Sequence, residues 1–165
     1  MCKRLEVCLV IIGDEILSGK RTDKHFSNCR DLLAKRGLST HAVLYVGDKL
    51  ESIEKTLRFC FLGGHIIFTF GGIGSTPDDL TRLACANAFG SKLEPHQGAV
   101  NMIMKRCSEM EIELTESRLE MANLPQDASL IPNPISGFPG FSINHCHFLP
   151  GFPDMAYSMM KWVLD

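Results

Sequence analysis

The chain has 165 residues, of which 45% are hydrophobic and 22% charged, with a formal net charge of -2. Its sequence pI is about 6.3 and its mean hydropathy is +0.04. That is the size of one globular domain with a core of its own, and we expect a single domain over residues 1–165. The near-neutral charge gives no global attraction to nucleic acid or an anionic membrane, so neither is expected as a partner and small-molecule chemistry is favoured.

The seven cysteines, at 2, 8, 29, 60, 85, 107 and 146, are odd in number and widely spaced. No CxxC pair suggests a zinc site or redox couple, and they read as reduced thiols. The opening "MCKRLEVCLVIIGDEIL" has too short an apolar run, and no small-residue cleavage site, for a signal peptide. No stretch is long enough to span a bilayer, so a soluble, cytoplasmic protein is expected.

In chain order, "EVCLVIIG" (6–13) is a continuous apolar, largely β-branched run of the kind found in strands buried on both faces. From Thr22 to Arg36, Phe26, Cys29, Leu32 and Leu33 recur at helical spacing, and Gly37 closes the helix. A second strand is expected in "THAVLYVG" (40–47). Asp48 is then the expected N-cap of a helix carrying Leu50, Ile53, Leu57 and Phe61, ended by Gly63 and Gly64. "HIIFTF" (65–70) is the third strand. This alternation implies a parallel sheet with helices on both faces.

The second half is less regular. A helix is expected in "GAVNMIMKRCSEMEIEL" (98–114) and a short one near "ESRLEMA". The Pro/Gly-rich "SLIPNPISGFPGFS" (129–142) reads as an extended, turn-rich loop. "NHCHFLPG" is a last strand and "FPDMAYSMMKWVL" a terminal helix with Pro153 near its first turn.

In such a sheet, ligands bind beyond the carboxyl ends of the strands. Three loops leave such ends: "GDEILSG" (13–19), "VGDKLES" (46–52) and "GGIGSTPDD" (71–79), and each carries an aspartate. Like charges converging there are costly unless something positive joins them. Gly71, Gly72 and Gly74 let backbone N–H groups approach an anion. Ser75 or Thr76 is the expected cap of a helix starting at Pro77, with Asp78 and Asp79 in its first turn. Two readings are open: the aspartates serve helix stability alone, or one of them holds a divalent cation that in turn carries a phosphate. Ser18 either touches that phosphate or satisfies a turn. His145 and His147 share a strand face but lack a third ligand, so a metal reading is weak. The methionines at 102, 104, 110, 155, 159 and 160 read as core or subunit interface.

Together "GDEILSG", "YVGDKLESI", "FGGIGSTPDDLT", "IPNPISGFPGF" and "LPGFPDM" resemble the molybdopterin-binding domain family, which includes MogA, MoaB, the G domain of gephyrin and the amino-terminal domain of CinA. The likeness runs from about residue 6 to 160 and is closer to CinA-like members than to MogA. It implies a three-layer αβα fold of the α/β class with a mostly parallel sheet, a homo-oligomer with a trimer favoured, and a site for molybdopterin or a related phosphorylated pterin or nucleotide.

Carried over by motif, Asp48 and Asp79 are candidate catalytic residues. Asp14, Ser18, Gly71, Gly72, Gly74, Ser75, Thr76, Asp78 and Thr81 are candidate ligand or phosphate contacts. Asp14, Asp48 and Asp79 are candidate ligands for Mg2+ or another divalent cation. MogA-like members imply adenylylation of molybdopterin; CinA-like ones imply metal-dependent hydrolysis of ADP-ribose or a similar pyrophosphate; gephyrin implies a non-catalytic assembly module. Two departures stand out. Many CinA-like sequences have proline at Ser75, and MogA-like ones have arginine at Asp78, which favours a metal over a direct arginine contact to phosphate.

Overall fold

The computed structural model describes residues 6–165. Cys2 and the start of the segment weighed as a signal peptide lie outside them. Eight strands and seven helices are found among the described residues. In chain order the first part is β1 (Glu6–Ile12), α1 (Asp14–Leu17), α2 (His25–Ala34), β2 (Ser39–Val46), α3 (Leu50–Leu62), β3 (Ile66–Phe70) and α4 (Thr81–Phe89). The rest is β4 (Leu93–Pro95), α5 (Gln97–Glu109), α6 (Glu116–Glu120), β5 (Asn123–Pro125), β6 (Ser129–Ile131), β7 (Gly140–Ile143), β8 (Cys146–Leu149) and α7 (Pro153–Leu164).

The main sheet has the order β2-β1-β3-β8-β7-β6. The first four strands are parallel, β7 runs antiparallel to β8, and β6, antiparallel to β7, returns to the direction of the first four. β1 lies inside the sheet, and its period of two divides the core. Cys8, Val10 and Ile12 face α3, α4 and α5 through Ile53, Leu57, Ala84, Cys85 and Ile103. Val7, Leu9 and Ile11 face α2 and α7 through Leu32, Leu33, Ala156, Met159 and Met160. Both faces are therefore covered, giving the expected three-layer α/β fold. The six described cysteines are free and buried, and no helix among the described residues is long and apolar enough to cross a membrane.

Several local expectations are corrected. The helix expected from Thr22 starts at His25, because the Asp23 carboxylate accepts the N–H groups of His25 (2.7 Å) and Phe26 (3.3 Å) and ends the preceding loop. Phe26 and Phe61 sit at the edge of their apolar stripes and stay partly exposed. The ends of the segment read as a loop pair as β6 and β7, with Leu130 opposite Phe141. Its prolines and glycines occupy the connection and hid the short strands. The helix expected over 98–114 ends at Glu109, where Glu111 takes a positive φ of 54° and turns the chain. Met104 and Met110 are exposed, whereas Met159 and Met160 are core. His145 lies in the β7–β8 turn. His147 Nδ1 is 2.8 Å from the Ser142 hydroxyl, and burial pushes its pKa down to about 4, so the two do not form a ligand pair.

Candidate phosphate-binding cleft

The three aspartate-bearing loops meet at the carboxyl end of the parallel strands around a cleft of about 380 Å³. This is within the range of small-molecule sites. Gly71, Gly72, Gly74, Ser75, Thr76, Asp48, Asp78 and Asp79 line it. Asp14, Ser18 and Thr81 do not, and each holds a neighbour instead.

Asp14 and Asp48 lock the ends of β1 and β2 to each other. The Asp14 N–H donates to Asp48 Oδ2 (2.9 Å) and the Asp48 N–H to Asp14 Oδ1 (3.2 Å). Asp48 is thus not the N-cap of α3, whose capping position is Lys49 with no side-chain cap bond. Ser18 donates to the Glu15 carbonyl (3.4 Å), satisfying a turn.

The glycine loop is held from behind. Gly71 and Gly72 have φ of +106° and +70°, values that side chains resist. A Cβ on Gly71 would collide with the Ile12 carbonyl oxygen, and one on Gly72 with the Thr81 hydroxyl. The fully buried Thr81 donates its hydroxyl to the Gly71 carbonyl (3.0 Å) and its N–H to the Gly72 carbonyl (3.0 Å). The buried Arg82 guanidinium donates to the carbonyls of Ile73 (2.5 Å) and Gly74 (2.9 Å). Four consecutive carbonyls are therefore drawn toward α4. Among the described residues, the N–H groups of Gly72, Ile73, Gly74 and Ser75 donate to no protein acceptor. Successive unpaired N–H groups of this kind form an anion-binding concavity.

The expected helix start at Pro77 is wrong. Pro77 and Asp78 form a turn and α4 begins at Thr81, so neither aspartate lies in its first turn. Asp79 Oδ2 instead accepts the N–H (2.8 Å) and hydroxyl (2.5 Å) of Thr76, closing the turn. The exposed Asp78 carboxyl is held below its ordinary value by the nearby Thr76 side chain and then by its own backbone N–H. The reading in which both aspartates serve the start of α4 therefore fails.

Charge in the cleft is mainly negative. Burial, then the carboxylates of Asp14, Glu15 and Asp78, push the Asp48 pKa up, against the Asp14 N–H that pulls it down. Arg21 also lines the cleft, but its guanidinium is 3.3 Å from Glu15 Oε1. Asp14, Asp48 and Asp79 do not bring three oxygens together as a closed metal cage. Of the three, Asp48 and Asp79 line the cleft and are the carboxylates available to a divalent cation, which can take one or two and fill its shell with other oxygens.

Glu15, Arg21, Arg82 and Phe152 escaped the sequence reading. Glu15 lies beside the quoted Asp14 but reads as a helix residue. Arg82 lies one residue past the quoted motif, and only the tertiary fold turns it back under the loop. Phe152, which the sequence placed at the head of the terminal helix, is 62% exposed at the cleft mouth. Pro150 and Gly151 line the cleft beside it.

Residues 8–165 match a family described as the probable molybdopterin binding domain. A CinA-like protein of Citrifermentans bemidjiense is 34% identical over 161 residues, covering 95% of this chain and 39% of that protein. The chain thus spans about two fifths of the length of such relatives. A CinA of unknown function from Thermoplasma acidophilum superposes with a TM-score of 0.87 at 26% identity, covering 96% of each chain. The molybdopterin biosynthesis enzyme MoaB of Thermus thermophilus shares the fold, with a TM-score of 0.64 at 22% identity over 97% of this chain and 89% of that one. With its sequence matched from Cys8 to Asp165 and its fold matched to a CinA over nearly the full length, the chain belongs to the molybdopterin-binding domain family.

Proposed function

We propose that this domain binds a phosphorylated pterin of the molybdopterin type, or a related nucleotide, with its phosphate on the N–H groups of Gly72, Ile73, Gly74 and Ser75. The observation that carries this reading is the pinning of the loop's carbonyls by Thr81 and Arg82, which leaves those four donors unpaired at the cleft. A phosphate brought among Glu15, Asp48, Asp78 and Asp79 meets like charge, so the ligand enters with Mg2+ or another divalent cation. When bound, that cation neutralises phosphate charge and polarises the phosphorus centre. The chain's own residues orient: the loop holds the phosphate, Asp79 fixes the turn, and Phe152 offers a ring face at the mouth.

A second reading is favoured by the likeness to CinA-like proteins and by the raised basicity of Asp48. In it the domain hydrolyses ADP-ribose. Asp48 takes a proton from water, the water oxygen attacks phosphorus, and the phosphoanhydride bond breaks to give AMP and ribose 5-phosphate.

Two assays distinguish these readings. Thermal unfolding with molybdopterin or ADP-ribose, with and without Mg2+, reports binding. AMP release from ADP-ribose, with Mg2+ or Co2+, reports turnover. A cation-dependent rise in midpoint without AMP supports the binding module. AMP release lost in Asp48→Asn supports the hydrolase. No response to either ligand contradicts both and leaves the assembly module.

A further inference from the structure

At the opposite end of the sheet, side chains from three neighbouring strands converge. Glu6 opens β1, His41 lies in β2 and His65 immediately precedes β3. Glu6 Oε2 is 3.2 Å from Nδ1 of His41 and 3.8 Å from Nδ1 of His65. The two imidazoles stack with centroids 4.3 Å apart and planes inclined by 20°. One donor atom from each of the three residues lies within 4.8 Å of the other two.

Two backbone features aim these rings. Val7 pairs with Thr40 and Cys8 with Ala42, so His41 is the extra residue of a β-bulge. A bulge bends its strand and re-aims a side chain. Behind the other ring, a Cβ on Gly63 would stand 2.5 Å from Cδ2 and 2.6 Å from Nε2 of His65. Glycine at 63 therefore leaves the space that the imidazole occupies with its Nδ1 toward Glu6. The His65 side chain is 16% exposed, while Glu6 and His41 are about half exposed, at 46% and 47%. One donor is fixed and two can adjust.

We propose that Glu6, His41 and His65 form a site for a late first-row divalent cation of the Zn2+ class. Two imidazole nitrogens and one carboxylate suit such ions better than Mg2+ or Ca2+. Tetrahedral Zn2+ with bonds of about 2.0–2.1 Å needs donors roughly 3.3 Å apart. Rotation of the two adjustable side chains closes the present spread to that distance, and water takes the fourth position. The bound ion clamps β2, β1 and β3 together at their amino-terminal end. Seven residues of β1 at about 3.3 Å each put the site roughly 20 Å from the phosphate cleft, and it stands independently of the function proposed there.

Isothermal titration with Zn2+ tests this. We expect one equivalent bound by the wild type, at least tenfold weaker binding in His41→Ala and in His65→Ala, and weaker binding in Glu6→Gln. His145→Ala binds as the wild type does. In imidazole NMR spectra, Zn2+ shifts the His41 and His65 resonances before that of His145. If His65→Ala fails to fold, the half-exposed His41 carries the comparison. Wild-type affinity retained in His41→Ala, no binding up to millimolar Zn2+, or unshifted His41 and His65 resonances would overturn the proposal; in the last two cases Glu6 is only an ion-pair partner for the histidines.

Discussion

The two halves of the main sheet differ in what their loops can do. In β2, β1 and β3 every strand runs the same way, so the loops after Val46, Ile12 and Phe70 all emerge at one end and meet. In β6, β7 and β8 the direction alternates, and the tight turn at Asn144 and His145 falls at the far end. Only the chain leaving β8, at Pro150–Phe152, reaches the cleft. The parallel half concentrates backbone donors and carboxylates, while the antiparallel half mainly supplies packing. Stability and ligand binding should therefore come apart under mutation.

Phe148, fully buried on β8 and stacked on Phe141 at 4.5 Å, belongs to the packing half. Phe148→Ala should lower the unfolding free energy by about 3–5 kcal/mol in urea titrations. Ligand affinity of the molecules that remain folded should stay within about threefold. A larger loss of affinity would break the separation between the halves.

Arg82→Met keeps much of the buried bulk but leaves the Ile73 and Gly74 carbonyls without their donor. Hydrogen bonds from a charged group are each worth about 1.5–3 kcal/mol, and the variant also removes the cost of burying the guanidinium, so the net loss expected in the same titration is about that of one such bond. Affinity for a phosphorylated ligand should fall at least tenfold, because the loop is then free to turn its carbonyls into the cleft.

Gly72→Ala meets both a left-handed backbone and the Thr81 hydroxyl. The backbone preference costs about 1–2 kcal/mol, so stability falls modestly while calorimetric titration should find ligand binding lost. An alanine variant that bound normally would mean that the loop's observed shape is not the binding shape.

The smallest effect concerns pH. The Asp48 pKa is raised in the folded chain, so the folded state keeps a proton that the unfolded state has released. Its contribution to stability is fully present below the ordinary carboxylate value and is lost as pH rises through the raised one. The stability difference between wild type and Asp48→Asn should therefore drift against the wild type across that interval. A flat difference would mean that neither burial nor the neighbouring carboxylates perturb Asp48.

Much of this architecture was legible in the sequence because hydrophobic period and glycine placement are local. The run from Val7 to Ile12 has the pattern of a strand covered on both faces, and Gly71, Gly72 and Gly74 mark a glycine turn. Short strands such as β6 and β7 were not legible, since their pairing depends on partners distant in sequence and proline masked their ends. The start of α4 was misread at Pro77, where local capping preferences pointed to a helix. Thr76 and Asp79 bond each other instead, and the chain needs the extra turn so that Thr81 and Arg82 can reach back under Gly71–Gly74. Roles set by such tertiary returns have no local pattern.

The most direct test of a phosphate held by this loop is a backbone amide NMR titration with molybdopterin and with ADP-ribose, in the presence and absence of Mg2+. The account predicts the largest shifts at Gly72, Ile73, Gly74 and Ser75, dependent on Mg2+ and absent in Gly72→Ala. Shifts centred elsewhere, or none at these four amides at saturating ligand, would contradict it.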